Sequence, residues 1–405
     1  MSTVIVGSGQ AGLQVAATLR QNGYDGRIVL IGDEPSLPYQ RPPLSKKYLL
    51  GAVDEAELLL RPATYYAENA IELRTGESVV SIDRRGATAT TSSCESIDWE
   101  NLVIATGARP RTLGIPGEDL TGVFTLRLLT DAAVIAERLP SVTDVVIVGG
   151  GFVGLELASG FLDLGFRTTL LSGSHRLMDR AVSPEVSTHF ATHYVDRRLD
   201  LHLGARVTEF LGEDGRVMGI RTADGRIFDG QFVVVGAGVV PNVELAAEAG
   251  LDVDNGIVVD SSLRTSDDRI FAIGDCARFP SIHAGMPWRL ESVQNATDQA
   301  NHVAAEILSG TRREYADLPW FWSDQKNLKL QIAGLAANPH RTAVLGDPHT
   351  NKFSVAVFRD DRLVAVESVN KPADYQAARR VLGRKMILSY DRVTAPGFEL
   401  TSAKE

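Results

Sequence analysis

A chain of 405 residues, 44% hydrophobic and 23% charged, has the make-up of an ordinary soluble globular protein with two or three domains. Its net charge of −10 argues against nucleic acid as the main partner, because phosphate backbones select basic surfaces, and no stretch is long and apolar enough to span a membrane. The two cysteines, Cys94 and Cys276, lie far apart and in no C-x-x-C spacing, so neither a dithiol centre nor a metal site is expected and a reducing, cytoplasmic location fits.

In chain order, the apolar run Thr3–Val6 predicts a strand that starts at once and leaves no room for a secretory signal. Gly7-x-Gly9-x-x-Gly12 follows, then an apolar-periodic helix to about Leu19 and a strand over Arg27–Ile31. Further strands are expected at Val79–Ile82 and at Leu102–Ala105, the latter running into Thr106-Gly107-Ala108-Arg109-Pro110. The opening pattern then recurs: a strand from Val145, the turn Gly149-x-Gly151-x-x-Gly154, a helix, and a strand Thr168–Leu171 that ends in Ser172-Gly173-Ser174-His175. A hairpin is expected from Val217–Thr222 and Arg226–Phe228 across Asp224-Gly225, then a strand Phe232–Val235 leading into Gly236-Ala237-Gly238. Ile270–Ile273 reads as a strand ending in Gly274-Asp275. From about Glu314 the texture changes to Pro319-Trp320-Phe321-Trp322, strands at Phe353–Phe358 and Leu363–Val369, an amphipathic segment Asp374–Leu382 and a frayed tail after Pro396.

One glycine fingerprint is weak, whereas two copies, each set between a β-branched run and a helix, are a strong signal. The glycines let the backbone approach a pyrophosphate, which then meets free N–H groups at a helix N-terminus. Two such units hold two dinucleotides, and a flavin with a nicotinamide is the natural pair for passing a hydride. The second unit departs from the usual pattern, because no acid stands at the end of its second strand to hold the adenosine ribose.

The motifs Pro38-Tyr39-Gln40-Arg41-Pro42-Pro43-Leu44-Ser45-Lys46, Ala105–Pro110, Gly274-Asp275-Cys276-Ala277 and Trp320-Phe321-Trp322-Ser323-Asp324-Gln325 occur in that order. With them the whole chain resembles the FAD-dependent, NADH-linked ferredoxin reductases that serve bacterial cytochrome P450 and aromatic-ring dioxygenase systems. The resemblance implies an α/β, glutathione-reductase-like fold. Residues 1–108 and 240–313 would form a FAD-binding domain, 109–239 an NAD(P)-binding domain and 314–405 a C-terminal α+β domain. It implies a FAD site of Gly7, Gly9, Ala11, Gly12, Asp33, Arg41, Lys46, Val79, Arg127, Asp275 and Val293. Asp33 would take the ribose and Asp275 the ribityl chain. The NAD(P) site would comprise Gly149, Gly151, Gly154, Glu156, Ser172, Arg176, Gly236 and Gly238.

Lys46, Glu156 and Trp320 are implied at the chemistry, the first two in an electrostatic and orienting role, since a hydride needs no acid catalyst. NADH-linked relatives carry an acid where Ser172 stands, and its loss removes one ground for rejecting a 2′-phosphate, which suggests a relaxed preference; NADH is the expected donor, with NADPH as the alternative. The acceptor implied is a [2Fe–2S] ferredoxin feeding a cytochrome P450 or a Rieske-type oxygenase, docked near Arg289, Lys326 and Lys329. A rubredoxin reductase, an NADH oxidase, and a flavin-bound scaffold resembling apoptosis-inducing factor are the rival readings. The absence of a cysteine from the early helix disfavours the disulfide reductases and the cysteine-dependent oxidases.

Overall fold

A computed structural model of the chain describes residues 2–403, which divide into two compact units. The first gathers the chain up to Gln40 with Glu55–Arg109 and Val240–Pro319, and the second gathers Arg41–Asp54, Pro110–Val239 and the chain from Trp320 onward.

The first unit is built on a five-stranded parallel sheet in the order Ile270–Ala272, Asn101–Ile104, Ser2–Val6, Arg27–Gly32, Ile71–Thr75. Its central strands are continuous β-branched and aliphatic runs because helices and loops cover both faces; Val4, Ile5, Val29 and Leu30 are fully buried. The helix Gln10–Gln21 follows the first strand and packs beside the long helix Val293–Ser309. The predicted strand Val79–Ile82 lies in a separate antiparallel sheet, Val79–Asp83, Thr88–Thr91 and Ser96–Asp98. The last two strands of that sheet are threonine- and serine-rich, so they carry little apolar alternation to read.

The second unit repeats the parallel motif in the order Asp200–Leu203, Arg167–Ser172, Asp144–Val148, Val233–Val235, Val123–Thr125. The same unit holds an antiparallel sheet of five strands, Trp320–Gln325, Leu328–Gly334, Arg362–Val369, Lys352–Arg359 and Arg341–Asp347. One hydrophobic cluster runs through both sheets, from Ile147, Phe161 and Leu170 to Leu330, Phe353 and Val355. On the other face of the antiparallel sheet the helix Pro372–Gly383 buries Tyr375, Ala378 and Val381. Within the described residues the segment 397–403 is packed rather than frayed: Leu400 sits at 2% exposure in that second cluster, because a short turn over Leu400–Ser402 brings its side chain inward.

Glu367, on the strand Arg362–Val369, is fully buried and accepts the backbone N–H and the hydroxyl of Ser183, at 2.9 and 2.6 Å. Ser183 caps the helix Pro184–Asp196. Burial outweighs these donors and pushes the Glu367 carboxyl up to about 7 from its ordinary 4.5. A carboxyl raised on folding contributes stability that is complete below its unfolded pKa and lost as pH climbs through 7. Glu367 therefore removes about 3 kcal/mol between pH 4.5 and 8. The variant Glu367→Gln is expected to flatten the decline in Tm over that interval, and an unchanged slope would remove Glu367 as its source.

Candidate active site

Each parallel sheet ends in a glycine turn with the same three-part division of labour. In the first unit Gly7 has φ +109°, and a Cβ there would stand 2.2 Å from the Ala105 carbonyl oxygen. A Cβ on Gly12 would stand 1.9 Å from the Gly7 carbonyl oxygen, whereas one on Gly9 would have nothing within 4 Å. In the second unit the corresponding distances are 2.3 Å from Gly149 to the Gly236 oxygen and 2.0 Å from Gly154 to the Gly149 oxygen, with open space again at Gly151. The outer glycines thus close the turn against its neighbours, and the middle one faces a cradle. Gly9 and Gly151 are also the N-caps of twelve-residue helices and supply no side-chain cap, so the first-turn N–H groups are left for an anionic ligand. Both turns fit the pyrophosphate of a dinucleotide.

The first unit brings most of its expected residues to this cradle. Ala11 lies in the first helical turn, and a Cβ on Gly274 (φ +74°) would stand 3.3 Å from the Ala11 Cβ, which sets Asp275 beside that turn. The Gly274 N–H donates to the buried Gln299 at 2.7 Å, and Val293 begins the helix capped by Ser292. Asp33 is exposed just past the strand Arg27–Gly32, whereas its neighbour Glu34 accepts the Tyr39 hydroxyl at 2.5 Å. The Glu77 N–H donates to the Gly32 carbonyl at 3.0 Å and so brings the segment leading into Val79 alongside the same strand end. Cys276 is fully buried, and burial pushes its thiol pKa up, as expected of a small filler.

In the second unit the Gly236 N–H donates to the Val148 carbonyl at 2.7 Å, and Gly238 takes φ +92° beside Arg180. Arg41 donates to the Arg127 carbonyl at 2.9 Å, and Asp131 accepts the N–H groups of Arg127 and Leu128.

A partly buried ion pair stands at the start of the helix Phe152–Asp163. Lys46 Nζ lies 2.9 Å from Glu156 Oε1, with the two side chains 21% and 8% exposed. Glu156 Oε1 also accepts the Ser323 hydroxyl at 2.6 Å, and Oε2 accepts the Ser45 hydroxyl at 2.7 Å. Gln325 donates to the Ser323 oxygen at 3.1 Å, and the Tyr194 hydroxyl lies 2.8 Å from Gln325 Oε1 and from the Leu155 carbonyl oxygen. Burial raises the Tyr194 phenol pKa, which keeps it a donor. Lys46, Ser45 and Ser323 all present donors to Glu156, which suits a carboxylate held in one orientation.

Strand alternation explains the assembly. Phe321, Ser323 and Gln325 share the face that meets the helix, with the Phe321 ring 4.5 Å from that of Phe152. Trp320 and Trp322 lie on the opposite face, 5.6 Å apart, where Trp320 also meets Tyr375 and the Arg379 guanidinium. Ser45, Ser323, Gln325 and Tyr194 were not singled out from the sequence, although the first three lie inside the motifs that carry the resemblance.

Three of the expected groups are engaged within the chain. Ser172 is 3% exposed and tucked under Gly150, with its oxygen accepting the Ser174 N–H at 3.3 Å. The Arg176 guanidinium is turned onto the carbonyls of Val182 and Asp179, at 3.1 and 2.7 Å. The cations Arg289, Lys326 and Lys329 each stand within 4.0 Å of a carboxylate, namely Glu291, Asp163 and Asp324. Arg289 is largely buried and also donates to the Asp275 carbonyl, so it is not a surface charge. Among the described residues no group of acids, histidines and cysteines could hold a metal, and no helix is long and apolar enough to cross a membrane.

Residues 1–300 match the pyridine nucleotide-disulphide oxidoreductase family and residues 320–404 the reductase C-terminal family. The chain is 45% identical to rhodocoxin reductase of Rhodococcus erythropolis, over 100% of its own length and 94% of that protein. Its fold superposes on the ferredoxin reductase for the CYP199A2 system of Rhodopseudomonas palustris with a TM-score of 0.95, at 43% identity over 98% of each chain. It superposes on the covalent putidaredoxin reductase–putidaredoxin complex with a TM-score of 0.94, at 35% identity over 98% of this chain and 97% of that one.

Proposed function

The chain belongs to the pyridine nucleotide-disulphide oxidoreductase family, among its ferredoxin reductases, and from that premise we propose that it carries electrons from NAD(P)H to a [2Fe–2S] ferredoxin that feeds an oxygenase. The observation that carries the reading is the pair of matched glycine cradles on one chain, each with an open middle glycine at a helix N-terminus. When bound, FAD would supply the exchange between two-electron hydride acceptance from NAD(P)H and one-electron release to the iron–sulfur partner. The first cradle would hold FAD, with Asp33 at its ribose and Asp275 along its ribityl chain, and the second the nicotinamide nucleotide. Lys46 would supply a fixed positive charge beside the reacting ring, and Glu156, held by Ser45 and Ser323, would fix where that charge points. The two free cysteines and the dependence on NAD(P)H fit a cytoplasmic enzyme.

The test is anaerobic mixing of the FAD-loaded protein with NADH or NADPH, followed by cytochrome c reduction with a panel of carriers. Rapid bleaching, and turnover supported by a [2Fe–2S] ferredoxin, are expected. Turnover with rubredoxin alone would make it a rubredoxin reductase, and a slow, stable charge-transfer complex would make it a scaffold.

A further inference from the structure

The two cradles can be compared with each other, because the same hydrogen bond fixes their register. The Gly7 N–H donates to the Ile31 carbonyl and the Gly149 N–H to the Leu171 carbonyl, both at 2.8 Å. Gly32 therefore corresponds to Ser172, and Asp33 to Gly173. The residue packed against this strand end is exchanged as well: a Cβ on Gly32 would fall 1.9 Å from the Ser8 oxygen, and one on Gly150 would fall 3.0 Å from the Ser172 oxygen. Where the first unit offers an exposed carboxylate, the second offers a bare glycine.

A cation takes the acid's place. Leu203 pairs with Ser172, and the Gly204 N–H donates to the Ser174 carbonyl at 3.0 Å, so the loops after the two strands lie together. Gly204 has φ +71°, and a Cβ there would stand 2.9 Å from the His175 ring, so glycine leaves the ring its room. Two residues on, the Arg206 Cα and Cβ stand 3.9 and 4.0 Å from where a Cβ on Gly173 would be. The Arg206 carbonyl accepts the Ala223 N–H at 2.8 Å, which anchors its backbone. Among the described residues neither the Arg206 guanidinium nor the His175 ring is engaged by another side chain or carbonyl.

We propose that the second cradle selects a 2′-phosphorylated nucleotide, with Arg206 as the principal phosphate ligand and His175 and the Ser174 hydroxyl beside it. This rests on reading that cradle as the NAD(P)H site. An acid at the strand end accepts ribose hydroxyls and repels a 2′-phosphate, whereas an unpaired arginine in its place attracts one and can bind two of its oxygens at once. Arg176 is already committed to two carbonyls, and Ser172 contributes by being small and uncharged.

Calorimetric titration of the FAD-loaded protein with adenosine 2′,5′-bisphosphate and with adenosine 5′-monophosphate isolates this contact from turnover. The bisphosphate is expected to bind about tenfold tighter, the worth of one charge-assisted contact, with the gap narrowing at high salt. Arg206→Gln, at an exposed position, is expected to bring the two affinities together by weakening the bisphosphate alone, and Ser172→Glu to favour the monophosphate. Equal affinities in the unaltered protein, or a preference that survives Arg206→Gln, would overturn the proposal. If neither nucleotide binds, the assignment of the second cradle falls with it.

Discussion

Replacing Lys46 by methionine is expected to slow the bleaching of bound FAD by NAD(P)H about 100-fold, while FAD content and NAD(P)H affinity change little. A loss of that size asks for roughly 2.7 kcal/mol of stabilisation. A unit charge at about 4 Å supplies roughly 4 kcal/mol in a partly buried setting, so one lysine suffices. Its surroundings are built to keep that charge in place: the Glu156 carboxylate lies 2.9 Å away, and two serine hydroxyls fix the carboxylate in turn. Methionine keeps an unbranched side chain, one atom shorter, and removes the charge and its contact with Glu156, whose carboxylate still accepts the two serine hydroxyls. Glu156→Gln keeps a side chain of the same shape and leaves Lys46 charged, so it is expected to cost less, about tenfold, through a less well-aimed ammonium. Stopped-flow absorbance under anaerobic conditions separates the cases. A Lys46→Met protein slowed by less than a few-fold, with its FAD intact, would end the electrostatic role.

What could be read from the sequence followed the range of the interactions involved. The two cradles were legible because glycine spacing, a β-branched strand and a helix start are all local, and the whole pattern fits within some thirty residues. The ion pair was half legible. Lys46 and Glu156 could be named through the resemblance, but the hydroxyls that hold Glu156 come from positions 111 and 167 residues away in the chain. Nothing in a lone serine signals such a partner. Arg206 is the same case: it sits after a strand on no motif, and only the parallel pairing of Leu203 with Ser172 brings it to Gly173. Arg289 and Arg176 show the converse, since nothing local in the sequence signals the intramolecular partners they find: the Asp275 carbonyl and Glu291 for the first, the Val182 and Asp179 carbonyls for the second. The tail after Pro396 lacks periodicity, yet Leu400 finds a place in a core assembled from distant elements.

Which cradle takes which nucleotide can be decided by one pair of substitutions, because the middle glycines are tolerant for the fold and intolerant for the ligand. Gly151 has φ −84°, a value open to any residue, and a Cβ there meets no atom of the protein within 4 Å. Gly151→Val should therefore cost the fold no more than about 1 kcal/mol, the disadvantage of an apolar residue at a helix N-cap. The added methyl groups would occupy the space a pyrophosphate must enter to reach the helix N–H groups. The expected result is a protein that keeps FAD and its Tm to within a few degrees but binds NAD(P)H about 100-fold more weakly. Gly9→Val, equally open at 4 Å, should do the reverse and release FAD. Gly154→Ala is the contrast: its Cβ would lie 2.0 Å from the Gly149 carbonyl oxygen, so the turn itself must move and stability should fall with binding. Fluorescence titration and FAD content after gel filtration read both outcomes. Loss of FAD from Gly151→Val with NAD(P)H binding kept would exchange the two assignments, and with them the place of Lys46 in the reaction.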